Sequence, residues 1–375
     1  MTPHASAPAA AAASTPPSFP AHSVLVLGCG SIGERHLRNF QRTGRARLTA
    51  CDSNPALLAM MAERYGVATA GDWQAALASG GLDACVICTP AHLHVPMAIA
   101  ALQHGLHVLI EKPLSQSLDG VDELIAARDA GRRHAAVAYV LHVYPLLVEA
   151  RAFLRRGELG PLRHVPVTSG QHFPAGRPAH APPYWETYYR DRKTGGGAIQ
   201  DALTHPVNWV ESILGPTDTV YCDCAHQVLP KVTVEDTVNI SARNGDVLVS
   251  YTLNQFQAPN EVTLQFNAPA GSFKIELHRS RWGMFRLGAK AWTWHEVTPP
   301  DRDAPFFAQA GAFLDQLDGQ PPRLCSLEAA RQSLCFNLAA LASADSGVPV
   351  DTVNLQPHRT GMRRPVSNCP STLLP

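Results

Sequence analysis

The run Gly28-Cys-Gly-Ser-Ile-Gly33 constrains this chain more than any other feature. It follows directly on a short apolar stretch, Val24-Leu-Val-Leu, and opens a segment of helical spacing over residues 32–43. A G-x-G-x-x-G between a strand and a helix has a physical reading. The first glycine makes a tight turn, the second lets a pyrophosphate approach the backbone, and the third lets helix and strand pack closely. The N-terminus of the helix, here Ser31 and Ile32, offers free N–H groups and the positive end of its dipole to phosphate. Asp52 ends the next apolar stretch, about 20 residues beyond the last glycine, where a carboxylate accepts from a ribose diol. It repels a 2′-phosphate, and no arginine follows it immediately, so NAD is expected as cofactor in preference to NADP.

The surrounding pattern fits that reading. Strand signals at residues 48–51, 84–88, 107–110 and 135–138 alternate with helical spacing over 55–65, 92–104 and 118–130. Nearly continuous apolar strands between helices imply a parallel sheet covered on both faces. The texture changes after Tyr139. A helix is expected over 145–156, then strands over 236–241, 247–255, 262–267 and 272–277, then a helix over 327–344. Asn244-Gly245 between two of these strands is a hairpin signal. The expected class is α/β: a Rossmann domain over 21–141, then an α/β domain with an open, mainly antiparallel sheet over 142–350. Residues 1–20 and 351–375 read as a disordered tail and a C-terminal tail.

Composition narrows the function classes. The 375 residues carry zero formal net charge, 17% charged and 45% hydrophobic residues, with no charge-based case for nucleic acid or a membrane surface as partner. No run is long and apolar enough to span a bilayer. The cysteine count is odd at nine, which points away from a disulfide framework and toward a reducing cytoplasm. Cys85 and Cys88 form a C-x-x-C, but three apart on a strand they point to opposite faces. Cys222 and Cys224 share a face, yet two ligands make no zinc site. No metal is expected.

Several downstream segments then fall into one order. Thr89-Pro90 ends a strand, and His94 follows four residues after the proline. Glu111-Lys112-Pro113 lies just past another strand, and Gly195-Gly-Gly-Ala-Ile-Gln-Asp201-Ala-Leu-Thr-His205-Pro comes later. This combination resembles the glucose–fructose oxidoreductase / inositol dehydrogenase (Gfo/Idh/MocA) family, over about residues 24–350. The resemblance implies a Rossmann domain joined to an α/β domain whose open sheet often forms the oligomer interface. It implies NAD(P)-linked oxidation or reduction of sugars, inositols and related molecules. By resemblance Lys112 matches the active-site lysine, and Asp201 and His205 match its carboxylate and acid–base histidine. Three positions depart from the family's frequent residues: His142 for Arg or Asn, Asn208 for Asp, and Ala91 for Asn. These bear on substrate choice.

The chemistry suits the residue types. Open α/β sheets bind ligands at the carboxyl ends of their strands, where Thr89, Pro90, His94, Glu111 and Lys112 are expected to meet the cofactor. Oxidising a secondary alcohol requires a base for the hydroxyl proton, and histidine is the usual choice. Lys112 can steady the developing alkoxide, with Asp201 orienting or charge-tuning the pair. Asp201 and His205 share a helical face at four-residue spacing, although Pro206 suggests a turn followed by a helix starting there. Weaker candidates for substrate contact are His142, Arg190 and His172. The glycines at 195–197 read as a flexible loop or a close approach to ligand. The cluster Tyr184-Trp185 with Tyr188-Tyr189 reads as a sugar-stacking wall or a packed interface.

The expected function is hydride transfer between nicotinamide and a secondary alcohol or ketone of a sugar, inositol or sugar derivative. Two alternatives from other classes are an NAD-retaining glycoside hydrolase of the same fold and a non-catalytic NAD-sensing protein. An exposed sheet face needs covering, so a homodimer or homotetramer is expected.

Overall fold

A computed structural model describes residues 21–176, 182–353 and 355. The expected N-terminal tail and most of the C-terminal one lie outside the described residues. In chain order the first part runs β1 (His22–Leu27), α1 (Ser31–Arg42), β2 (Ala46–Cys51), α2 (Pro55–Tyr65), β3 (Ala68–Ala70), α3 (Trp73–Ala78), β4 (Ala84–Ile87), α4 (His94–Gln103), β5 (His107–Ile110), α5 (Val121–Gly131) and β6 (Ala135–Val137). The six strands form one parallel sheet in the order β3-β2-β1-β4-β5-β6. Its order reverses at β1 and β4, and ligands bind beside such a switch point. Residues 68–78, left unassigned by the sequence pattern, supply a short edge strand and a helix capped by Asp72, whose side chain accepts from Gln74 and Ala75 N–H groups.

The sheet is apolar on both faces. Leu25, Leu27, Cys85 and Ile87 pack on one side, and Val24, Val26, Val86 and Cys88 on the other. Cys85 and Cys88 therefore point oppositely, as the strand period requires, and burial pushes both thiols up. No cluster of metal-ligating side chains occurs among the described residues.

The chain continues through α6 (Pro145–Arg155), β7 (His164–His172), the single turn α7 (Phe173–Gly176) and α8 (Thr204–Leu214). Then follow β8 (Thr219–Ala225), β9 (Thr237–Asn244), β10 (Val247–Asn254), β11 (Phe256–Ala268), β12 (Gly271–Glu276), β13 (Arg281–Arg286) and β14 (Thr293–Glu296). The end of the described chain holds α9 (Ala304–Leu317), α10 (Leu327–Ser346) and β15 (Val350–Asp351). The second sheet has nine strands, ordered β14-β13-β12-β11-β7-β10-β9-β8-β15. It is antiparallel except where β7 runs parallel to β10. The β9–β10 hairpin closes with Asn244 paired to Val247, so its two-residue loop is Gly245-Asp246. Only the first loop residue has positive φ (56°), which suits a turn with glycine leading rather than the Asn-Gly turn the sequence suggests.

One face of this sheet packs on α6, α8 and α10 through Phe153, Val207, Trp209 and Phe336, all buried. The other face carries exposed side chains, Tyr221 and Leu248 among them.

Chain order and packing part company at the C-terminal helices. Helix α9, which sequence spacing did not reveal, buries Ala310, Phe313 and Leu314 against the first sheet's core. Arg38 holds Asp303 at 2.6 Å, and Arg45 holds Asp315 at 2.7 Å. Helix α10 spans both cores: Leu327, Ala330 and Leu334 pack on the first sheet, Ala339 and Ala340 on the second. Each buried aliphatic or aromatic side chain of this kind contributes about 1.5–3 kcal/mol, so the two sheets share one apolar seam.

Candidate active site

The glycine loop has the shape its residues demand. Gly28 sits at φ +88°, and a Cβ there would lie 2.7 Å from the Cys88 carbonyl oxygen. A Cβ on Gly33 would lie 1.7 Å from the Gly28 carbonyl oxygen, so only hydrogen lets α1 close on the turn. Gly30 differs: a Cβ there meets no atom within 4 Å. The space above it is open, and it caps α1 with no side-chain hydrogen bond. An open cradle facing a helix N-terminus fits the pyrophosphate of a dinucleotide. Asp52 lies beside it. One carboxylate oxygen accepts from the Cys29 N–H at 2.7 Å and the other from the Asn54 N–H at 2.8 Å. The carboxylate thereby stays at the rim of the loop, with lone pairs left for a diol.

Two residues expected to touch the cofactor tie neighbouring segments together. Glu111 is buried, and both oxygens are engaged: one with His36 Nε2 at 2.7 Å, the other by the Lys112 N–H at 2.9 Å. Burial raises its carboxyl, but the His36 hydrogen bond and neighbouring charges outweigh this and hold it below the usual range. It clips α1 to the loop bearing Lys112. His94 is also buried, with Nδ1 2.9 Å from the Pro113 carbonyl and Nε2 2.8 Å from the Thr89 carbonyl. The ring joins the loops after β4 and β5 and has no nitrogen left for a ligand. Thr89 turns its hydroxyl to Met97, and Pro90 is exposed at the loop surface.

Lys112, Asp201 and His205 converge. Lys112 Nζ lies 3.0 Å from Asp201 Oδ1 and donates to the Asp201 carbonyl at 3.1 Å. The backbone explains this. Residues Ile199–Leu203 form a π-turn that runs straight into α8. The expected helix start at Pro206 is therefore corrected to Thr204. In a π-turn the N–H five residues on would meet the Asp201 carbonyl, but that residue is Pro206, which has no N–H. The carbonyl remains available to Lys112. Burial opposes ionisation of Asp201, yet the Lys112 charge and the hydrogen bonds from Tyr188 and Lys112 hold its carboxyl below the usual range.

His205 is partly buried, with its ring edge-on to Tyr139 at 5.9 Å. Burial pushes its pKa down to about 3, and the Lys112 charge adds to the effect against the opposing pull of Asp201. Its Nδ1 is enclosed with no hydrogen-bond partner among the described residues, which leaves Nε2 as the atom able to take a proton. Thr204, the adjacent residue, is fixed by Tyr139 at 2.9 Å and Asn337 at 3.0 Å, so the turn carrying His205 is anchored from two sides.

The aromatic cluster divides. Tyr184 and Tyr189 are packed in a small core with Leu229 and Val234. Tyr188 is 47% exposed and donates to Asp201 Oδ1 at 2.8 Å. It belongs to the site, and nothing in the sequence distinguishes it from its neighbours. The glycines at 195–197 are buried and tightly packed rather than open to ligand: a Cβ on Gly196 would lie 2.2 Å from the Tyr189 carbonyl, and one on Gly197 2.4 Å from Glu235. Glu235, also unforeseen, accepts from the Ile199 N–H at 3.2 Å and from Arg192 Nε at 3.2 Å, fixing the start of the π-turn.

His142 does not join this group. It is buried, donates from Nε2 to Asn208 at 2.8 Å and accepts from Arg151 at 3.1 Å. It faces a separate cavity whose lining includes neither Lys112, Asp201 nor His205. Arg190 is exposed on a short turn. His172 ends β7, where its N–H donates to Asn260 and its Nδ1 accepts from the Ala175 N–H.

Two family models match the chain. Residues 22–139 match the family described as "Oxidoreductase family, NAD-binding Rossmann fold", and residues 147–274 match the "GFO/IDH/MocA C-terminal domain". The chain is 27% identical over 209 residues to a levoglucosan dehydrogenase of Pseudarthrobacter phenanthrenivorans, covering 53% of this chain and 52% of that one. It is 27% identical over 191 residues to an inositol 2-dehydrogenase of Rhizobium meliloti, covering 51% and 54%. The chain thus spans about half the length of the curated relatives it matches. Its fold is similar to that of a levoglucosan dehydrogenase solved with NADH and levoglucosan, at TM-score 0.78 and 19% identity over 88% of this chain and 99% of that one. It is also similar to the WlbA dehydrogenase from Bordetella pertussis solved with NADH and UDP-GlcNAcA, at TM-score 0.74 and 22% identity over 90% and 99%.

Proposed function

This chain belongs to the GFO/IDH/MocA oxidoreductase family, and we propose that it is an NAD-dependent dehydrogenase or reductase acting on a secondary alcohol or ketone of a sugar, inositol or sugar derivative. The observation that carries the reading is the Lys112–Asp201 ion pair with His205 beside it, at the end of the strand two places from the glycine loop.

The residues present fit the cofactor. The open space over Gly30 and the start of α1 would hold the pyrophosphate, and Asp52 the adenosine ribose. A nicotinamide, when bound, accepts or returns the hydride. The chain does the rest. Lys112 holds the substrate oxygen and steadies negative charge on it. Asp201, through Oδ1 and its carbonyl, keeps the ammonium in position. His205 Nε2 takes the hydroxyl proton in oxidation and gives it back in reduction. Tyr188, at the exposed lip, orients Asp201 and offers a ring face to a sugar.

Within this reading residues 21–141 bind the dinucleotide and residues 142–350 supply the substrate site and a surface for self-association. The face of the nine-stranded sheet that no described residue covers at Tyr221 and Leu248 suits a homodimer or homotetramer. The eight described cysteines are all free, as a reducing cytoplasm would keep them.

The test is direct. Purified protein is given NAD and a panel of sugars and inositols, and absorbance of the reduced ring is followed. Steady NADH production with one substrate supports the proposal. Bound cofactor with no net change, together with cleavage of an aryl glycoside, would replace it by the NAD-retaining hydrolase. Cofactor binding with neither activity would leave a sensor.

A further inference from the structure

A cavity of about 760 Å³, whose lining includes none of Lys112, Asp201 and His205, lies between α6, the second half of α8 and the segment joining α9 to α10. Its charge is one-sided. Arg151, Arg155 and Arg323 line it, with Glu149 as the single acid among the lining residues. Arg323 is held by Asp315, and Glu149 accepts from Trp282 Nε1 at 3.3 Å. Arg151 and Arg155 are different. They lie four apart on α6, hence on one face, and among the described residues their hydrogen bonds go only to neutral acceptors. Arg151 donates to His142 Nδ1 and to the His142 carbonyl, both at 3.1 Å, and Arg155 donates to the Ser212 carbonyl at 3.4 Å. Two guanidinium groups thus repel one another at a partly dry wall with no carboxylate between them. Burial and then Arg155 lower the Arg151 pKa.

The wall behind them is built, not adaptable. Because Arg151 donates to Nδ1 of His142, the ring proton sits on Nε2 and goes to Asn208 Oδ1. Asn208 then donates to Ser333 at 2.9 Å, and Ser333 to the buried Glu211 at 2.7 Å. This series of hydrogen bonds holds His142, and through it Arg151, in place before any ligand arrives, which lowers the ordering cost of binding. Apart from Ser212 and Ser326 the rest of the lining is apolar, including Val148, Pro322 and Leu324. The volume lies in the range of ligand-binding sites, which typically hold about 300–1,000 Å³.

We propose that this cavity is a second binding site, for an organic anion whose phosphate or carboxylate group bridges Arg151 and Arg155 while its carbon body rests on Val148 and Leu324. A bidentate oxyanion matches the fork of each guanidinium.

The experiment uses the full chain saturated with NAD, so that the dinucleotide phosphate site is filled. Phenyl phosphate, phenylacetate and inorganic phosphate are titrated calorimetrically, with phenol as the uncharged control. The expected result is one site per chain for at least one of the two organic anions, binding more tightly than inorganic phosphate, and no heat from phenol. A preference for phenyl phosphate over phenylacetate identifies a phosphate ligand, the reverse a carboxylate. Arg155→Met keeps the aliphatic stem and is exposed, so it folds; it should weaken binding at least 10-fold, and Arg151→Met/Arg155→Met should abolish it. Unchanged affinity in Arg155→Met, or no binding of either organic anion at millimolar concentration, would overturn the proposal.

Discussion

Replacing Lys112 with Met tests the site most severely, because it predicts a stability change and an activity change with different dependences on pH. In the native protein Lys112 Nζ lies 3.0 Å from Asp201 Oδ1, with 19% and 12% of the two side chains exposed. Removing one partner of a buried ion pair costs about 3–5 kcal/mol. The residual exposure argues for the lower end, about 3 kcal/mol. The sign with pH follows from Asp201. Its carboxyl lies below the usual range, after the Lys112 charge overcomes burial. It therefore contributes stability that is present above the unfolded pKa of about 3.9 and lost as pH falls through the folded value. In Lys112→Met the burial remains and the cation is gone, so the folded carboxyl rises above its unfolded value. The variant is then penalised at pH 8, and the penalty shrinks as Asp201 takes a proton. Urea denaturation of both proteins at pH 8 and pH 5 should give a difference of about 3 kcal/mol at the higher pH and a clearly smaller one at the lower. Turnover should fall by about 10²–10³, the usual cost of a lost oxyanion donor, while NAD still binds to the glycine loop. A pH-independent stability difference would mean that the ion pair is not what holds Asp201 ionised. Native turnover would remove Lys112 from the chemistry.

Three other outcomes are expected. With a pKa near 3 for His205, kcat/KM for alcohol oxidation should stay level down to about pH 5, well below the unperturbed histidine value of about 6.5; a break near pH 6.5 in the free enzyme's profile would show that burial and Lys112 do not hold His205 below the ordinary histidine range. Gly30→Ala meets no protein atom within 4 Å, so it should leave Tm within about 2 °C of native while weakening NAD binding at least about 10-fold; Gly33→Ala, 1.7 Å from the Gly28 carbonyl, should lower Tm and NAD affinity together, and equal behaviour of the two variants would refute the cradle. Tyr188→Phe removes a hydrogen bond to a charged acceptor worth about 1.5–3 kcal/mol, and at 47% exposure the lower end applies; kcat/KM should drop about 10-fold with Tm little changed, and an unaffected kcat/KM would make the tyrosine a bystander.

The parts legible in the sequence are those decided by local rules. The glycine spacing requires a tight turn at Gly28 and contact at Gly33, because no other residue has the φ freedom or the missing Cβ those places need. The alternation of apolar strands with helices over residues 24–138 implies a parallel sheet, because unbroken apolar strands need cover on both faces. Lys112, Asp201 and His205 were recognisable through the order of their segments, since each stands in a short local pattern.

Tertiary structure alone decided what each neighbouring residue does. Glu111 adjoins Lys112 and His94 follows Thr89-Pro90, yet folding turns them inward onto His36 and onto two backbone carbonyls. No local pattern separates Tyr188, at the site, from Tyr189, in a core. Helix α9 returns more than 260 residues along the chain to cover α1 through Arg38 and Asp303, and His142 is drawn to a different cavity by Arg151 and Asn208. Turns and strand periods depend on φ, ψ and nearest neighbours, which a sequence displays directly. Which buried group meets which is settled by packing across the whole chain, where partners distant in sequence compete for the same polar atoms.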